Sequence, residues 1–70
     1  MNAVGAARRA KGFTQQSLAE QMGVTQGAVN QWEKGTTHPS AKRMPKLANI
    51  LGITVDEIVR GSLNGQTPFD

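Results

Sequence analysis

The 70-residue chain carries eight Lys and Arg against five Asp and Glu, a formal net charge of +3, and has no cysteine. A chain this short suits one small domain, burying only about 60% of its unfolded surface, and leaves no room for a separate catalytic or oligomerisation domain. With no thiol and a single His38, a disulfide framework and a zinc site are excluded, and no apolar run approaches the roughly 20 residues of a membrane span or forms a signal-peptide core, so a soluble, cytoplasmic protein without metal or cofactor is expected.

The spacing of apolar residues and of capping signals predicts five helices. Helix one spans about Asn2 to Lys11, with Val4 and Ala7 inward and Gly12 as its left-handed stop. Phe13 plugs the core ahead of Thr14, which is placed to cap helix two over about residues 15 to 22. Gly23 ends that helix, Val24 packs into the turn, and Thr25 caps helix three over about residues 26 to 33, closed by Gly35. Thr36, Thr37, His38 and Pro39 form a loop. Ser40 is placed to cap helix four, whose stripe of Met44, Leu47, Ile50 and Leu51 ends before Gly52.

Pro45 conflicts with a helix four that begins at Ala41. There it would remove the bond to the Ala41 carbonyl and crowd that turn, a cost of about 3 kcal/mol in a helix interior. Either the first turn is distorted or the regular helix begins nearer Met44. Thr54-Val55-Asp56-Glu57 fits a capping box, opening a helix five that carries Val55, Ile58 and Val59 and stops at Gly61. Residues 61–70, with Gly61, Gly65 and Pro68, read as a flexible tail behind a domain of residues 1–60. There is no strand alternation, internal repeat or low-complexity tract, so the expected fold is an all-α five-helix bundle.

Residues 14 to 34 form the most informative stretch. Two short helices pivot on Gly23, anchored by Leu18, Met22, Val24, Val29 and Trp32, with the small Ala19 where they cross. That is the outline of a helix-turn-helix, which lays its second helix in the major groove of DNA. Gln26, Gly27, Asn30, Gln31 and Lys34 share the opposite face of that helix at helical spacing. Gln26, at the start of the helix, can pair bidentately with adenine N6 and N7. Asn30 and Gln31, one turn on, can reach either bases or phosphates, and Gly27 would permit close approach to DNA without a side chain in the way. Trp32 is on the apolar face and is assigned to the core rather than to base stacking. For His38, phosphate contact and plain solvation are both open.

Charge is distributed to one side. No acidic residue lies between Glu33 and Asp56, whereas Lys34, Lys42, Arg43 and Lys46 do, and Arg8, Arg9 and Lys11 form a second cluster. A one-sided basic footprint suits a surface that neutralises phosphates. Lys42 and Arg43 fall in the first turn of the expected helix four, where the macrodipole disfavours a cation by about 0.3–1 kcal/mol. They make sense there if a phosphate docks between them and the free amides of the helix start.

These residues together carry a family pattern. Phe13 through Ala19, Met22-Gly23-Val24-Thr25, Val29 through Gly35, His38-Pro39-Ser40, Leu47-Ala48, Leu51-Gly52-Ile53 and Asp56-Glu57-Ile58 resemble the Cro/C1-type helix-turn-helix family, over roughly residues 4 to 60. The resemblance implies a lambda-repressor-like DNA-binding domain of five helices. It implies a transcriptional regulator, of the kind found in phage Cro proteins and repressors, that binds double-stranded DNA as a dimer on a palindromic operator. Position by position, it makes Gln15 a phosphate contact and puts Gln26, Gly27, Asn30 and Gln31 at base-reading positions. Thr25, Lys34, Thr37, His38, Lys42 and Arg43 complete the expected DNA-binding set. Arg8 and Glu33 stand where the family often has an ion pair between helix one and the end of helix three. Pro45, the short segment before helix one, and Gly27 depart from the family pattern.

The chain lacks the groupings that catalysis needs: it has one His and no Cys, Gly-rich phosphate loop or paired inward carboxylates, and a non-enzymatic regulator is expected. The alternative is a protein-interaction module, such as an antitoxin or anti-repressor, that reuses the fold. A weak homodimer is expected through helix five, at Ile58, Val59 and Leu63, with Phe69 extending the surface. A small restriction-modification controller would differ only in its target gene.

Overall fold

Threonines set where three of the helices begin. The computed structural model describes the backbone of residues 3–63 and the side chains of residues 3–59. Its helices are α1 (Ala3–Ala10), α2 (Gln15–Met22), α3 (Gln26–Lys34), α4 (Met44–Leu51) and α5 (Val55–Leu63), with no strand among the described residues. Thr14 Oγ1 accepts from the Ser17 amide at 2.9 Å and Ser17 Oγ returns to the Thr14 amide at 2.9 Å, a reciprocal box that satisfies two otherwise unpaired donors. Thr25 caps α3 through the Ala28 amide at 3.1 Å. Thr54 caps α5 through the Glu57 amide at 3.0 Å, while Glu57 Oε1 accepts from the Thr54 amide at 3.3 Å, as the sequence pattern predicts.

The turn between α2 and α3 rests on Gly23. Its φ of 70° lies in the left-handed region, and the Val24 amide then donates back to the Ala19 carbonyl at 3.0 Å. A Cβ at Gly23 would meet nothing within 4 Å, so the demand for glycine is conformational rather than one of space. The reversal brings α2 and α3 against each other with Leu18, Ala19, Met22, Val29 and Trp32 all buried.

Every helix contributes to one core. Val4 of α1, Leu18 of α2, Val29 of α3, Leu47 and Leu51 of α4 and Ile58 of α5 are all fully enclosed, and Met44 and Trp32 are nearly so. Full burial of one such side chain contributes about 1.5–3 kcal/mol, so this cluster supplies most of the driving force for a domain of this size. Phe13, Val24 and Val59 pack against its edge, and Pro39 anchors the α3–α4 loop from a fully buried position.

Three sequence expectations change. Of the two openings that Pro45 allows for helix four, the later one is found: residues 41–43 form a turn and α4 begins at Met44, so Ser40 is not its cap. Ser40 contributes its backbone carbonyl, which accepts from the Arg43 and Met44 amides at 2.9 and 3.0 Å, and Arg43 takes the cap position with no side-chain cap bond. The cause is Pro45, which sits in the first turn of α4, where a missing N–H costs no intrahelical bond. Helix five runs through Gly61 to Leu63 rather than stopping at Gly61. Its apolar stripe is also rotated from the expected one: Ile58 is in the core at 0% exposure, whereas Val55 is 39% exposed. The Leu63 side chain, and all of Phe69, lie outside the described residues.

Candidate nucleic-acid interface

With Val29 and Trp32 held in the core, the phase of α3 is fixed, and its other face is turned outward. Gln26, Gly27, Gln31 and Lys34 are exposed, and Asn30 is half-buried beside α2. Gln26 makes no hydrogen bond to any described residue, so its amide oxygen and nitrogen are both available. A Cβ at Gly27 would meet only Thr25 Oγ1, at 3.8 Å, an ordinary contact. The fold therefore tolerates a side chain there, and glycine leaves a low point between Gln26 and Asn30.

The flanks of this face are cationic. Lys34 closes α3, and Lys42, Arg43 and Lys46 are exposed in the turn before α4 and in its first residues, none of them ion-paired among the described residues. Lys42 and Arg43 are not inside the first turn of α4 as expected: Arg43 is the cap residue and Lys42 precedes it. Arg43 nonetheless stands at the positive end of the helix with no carboxylate in its first turn, an arrangement that suits an approaching anion. Thr37 is exposed and its Oγ1 lies 3.4 Å from Gln31 Oε1, tying the loop loosely to α3. His38 is half-buried in the same loop. Thr25 is exposed, but its hydroxyl oxygen is engaged in the α3 cap.

Behind the exposed face, α3 is fastened by a polar network. Arg8 Nε donates to Glu33 Oε2, Arg8 Nη2 lies 3.4 Å from Glu33 Oε1, and Arg8 Nη1 donates to the Phe13 carbonyl at 2.8 Å. The two side chains are 12% and 13% exposed, so the pair joining α1 to the end of α3 is largely screened from water. Gln15 Nε2, at the first residue of α2, donates to Glu33 Oε1 at 3.3 Å and to Asn30 Oδ1 at 3.3 Å. Both amide hydrogens by which Gln15 would hold a phosphate are thus committed inside the protein.

Gly5 is a residue that sequence reasoning missed. It is buried on α1, and a Cβ there would stand 3.1 Å from Glu33 Oε1, tighter than most real contacts. A glycine inside a short helix costs about 1 kcal/mol relative to alanine, and that local cost was the available signal of a close helix approach. The Gln15–Asn30 link was also missed, because the two residues are 15 positions apart and neither has an obligatory partner in the sequence.

Among the described residues no group of three or more His, Cys, Asp or Glu could hold a metal ion. No described helix is long and apolar enough to cross a membrane.

Comparison with known proteins agrees with this architecture. The helix-turn-helix family model matches residues 4–58. The chain is 36% identical over 55 residues to an SPbeta prophage-derived HTH-type transcriptional regulator of Bacillus subtilis, YonR, covering 79% of this chain and 51% of that protein. It is 33% identical to another Bacillus subtilis HTH-type transcriptional regulator, YazB, over 79% of this chain and 80% of that protein. It is also 33% identical to the HTH-type transcriptional activator BcrR of Enterococcus faecalis, over 77% of this chain but only 26% of BcrR. The chain spans about half the length of the first of these relatives. No solved structure matches. The family match from α1 into the first turn of α5, laid over these caps and this core, means that the chain belongs to the Cro/C1-type helix-turn-helix family.

Proposed function

We propose that this chain is a sequence-specific DNA-binding regulator of the phage Cro or repressor kind, acting in the cytoplasm without catalysis. The observation that carries this reading is the composition of the outward face of α3. It offers three amides and one cation, with the apolar residues of that helix turned inward. Such a face matches the donor and acceptor pattern of base edges in the major groove and has little to offer an apolar partner surface. Gln26 reads adenine through the oxygen and the NH2 of its amide, which accept from N6–H and donate to N7. Asn30 and Gln31 lie one turn further along the helix, and Gly27 lets the helix approach closely. Lys34, Lys42 and Arg43 neutralise phosphates on either side, with Thr37 and His38 next to the DNA backbone, while the Gln15 side chain is engaged inward by Asn30 and Glu33. Occlusion of polymerase at an operator is the simplest mechanism for such a protein. The prophage origin of YonR supports a phage context.

One domain this small covers a half-site, and half-site specificity is low against genomic competition. Two copies on a palindrome would set their recognition helices about 34 Å apart, one turn of DNA. Because Ile58 is enclosed in the core, it is withdrawn from the dimer surface, and Val59 with the exposed Val55 of α5 takes its place. That patch is small, so the dimer forms weakly in solution and mainly on DNA.

Selection of bound sequences from a random duplex pool tests the reading. An enriched inverted repeat bound by two copies is the expected result. Retention of DNA without any enriched sequence would contradict it and favour the protein-interaction alternative.

A further inference from the structure

The hydrogen-bond chain behind α3 sets the direction of one amide on the proposed reading face. Glu33 carries a carboxylate, held by two N–H groups of Arg8, and an ionised carboxylate only accepts hydrogen bonds. The Gln15 group 3.3 Å from Glu33 Oε1 must therefore be its NH2 end, since an oxygen there would face another oxygen with no hydrogen between them. The same nitrogen lies 3.3 Å from the Asn30 amide, so the Asn30 atom facing it must be Oδ1. Asn30 Nδ2 is consequently turned away from Gln15, and it makes no hydrogen bond to any described residue. Gln26 and Gln31 are not ordered in this way. Gln26 has no partner among the described residues, and the Thr37 hydroxyl beside Gln31 can donate or accept.

We infer that Gln15 is a positioning residue that makes Asn30 a hydrogen-bond donor toward DNA, so that Asn30 selects an acceptor and does not read adenine. The inference rests on the DNA-binding function proposed above. Bidentate reading of adenine needs an amide oxygen for N6–H and an amide NH2 for N7 together, whereas guanine offers only acceptors, O6 and N7, in the major groove. A phosphate oxygen is likewise an acceptor only. The shared chemistry is thus an acceptor without a donor; thymine O4 is a single acceptor beside a methyl group, so the sources that present acceptors to both N–H groups of Asn30 are a guanine edge and the DNA backbone.

The test uses the selected operator and four variants, Asn30→Ala, Asn30→Asp, Gln15→Met and the double variant Gln15→Met with Asn30→Ala. If the source is a base, Asn30→Ala loses a preference at one position of each half-site, that position is guanine, and 7-deazaguanine there weakens the parent alike. Gln15→Met then reduces the guanine-over-adenine preference from on the order of tenfold to within about threefold. If the source is a phosphate, Asn30→Ala weakens binding to all sequences with the base preferences intact, and a methylphosphonate at the contacted position reproduces the loss. In both cases Asn30→Asp, which keeps the shape but removes the donors, binds no better than Asn30→Ala, and the double variant is no weaker than Asn30→Ala alone.

An Asn30-dependent preference for adenine would overturn the inference, as would parent-like binding by Asn30→Ala or Asn30→Asp, or additive losses in the double variant. Any of these leaves sequence-specific binding standing. Failure of the parent chain to bind duplex DNA at all would instead overturn the function on which the inference rests.

Discussion

Under the proposed function, Gln26 is the residue whose replacement tests base recognition most directly. It stands at the first position of α3, exposed and without a partner among the described residues, so binding need not break any internal bond of its amide. Gln26→Ala is expected to lower operator affinity by about 1–3 kcal/mol and to relax the preference at one base pair of each half-site. Binding titrations on operators substituted at each position measure this, and undiminished selectivity throughout would remove Gln26 from the reading set. Glu33 has the opposite character, since its role is internal. Glu33→Ala leaves Arg8 largely buried without its counter-charge and frees Gln15 as well. The expected cost lies toward the lower end of the roughly 3–5 kcal/mol of a fully buried pair, because 12–13% exposure gives some access to water. For a domain of this length that is a fall in Tm of more than about 10 °C. A calorimetric Tm within two degrees or so of the parent would show the pair to be energetically idle. Gly5→Ala presses a methyl against the same carboxylate, 3.1 Å from Oε1, and is expected to destabilise by about 1–3 kcal/mol despite alanine's better helix propensity.

Among the elements, α4 shows where local rules decide the outcome. Because Pro45 sits in its first turn, Pro45→Ala is expected to change stability by less than about 1 kcal/mol, whereas a proline in a helix interior costs about 3 kcal/mol. A gain of several kcal/mol on denaturant titration would mean that Pro45 strains the helix after all. The boundaries of α2 and α3 follow from Thr14, Gly23, Thr25 and Gly35, whose requirements are local and are therefore written in the sequence. The start of α4 stays open in the sequence, because Ser40 and Pro45 give opposed signals; in the structure the proline's place in the first turn prevails over the serine cap. The facing of α5 was misjudged for a related reason. Val55, Ile58 and Val59 make one stripe by spacing, but which of them meets the core depends on how α5 packs on α1 and α4, a tertiary matter. The outward face of α3 could be read in advance because Val29 and Trp32 leave a single apolar phase. Its coupling to Gln15 could not, being a contact across two helices.

At the scale of the whole molecule, four of the eight basic residues, Lys34, Lys42, Arg43 and Lys46, lie between the end of α3 and the first residues of α4, while Glu20, Asp56 and Glu57 lie on other helices. This separation predicts two kinds of DNA contact that respond differently to salt. Lys34→Ala and Arg43→Ala should each weaken binding to specific and random duplexes alike and reduce the slope of log K against log salt by about one unit. Loss confined to the operator would mean that these cations read bases. Gln26→Ala should leave that slope unchanged.

Sequence-specific binding of the proposed kind requires that α3 be the element that meets DNA. Titration of the labelled chain with an operator duplex, followed residue by residue through its backbone amide resonances, tests that claim most directly. The largest shifts are expected over Gln26–Lys34 and the 36–43 segment, with the buried interior of α1 and α4 little changed. Shifts concentrated on α5, with α3 unaffected, would contradict it.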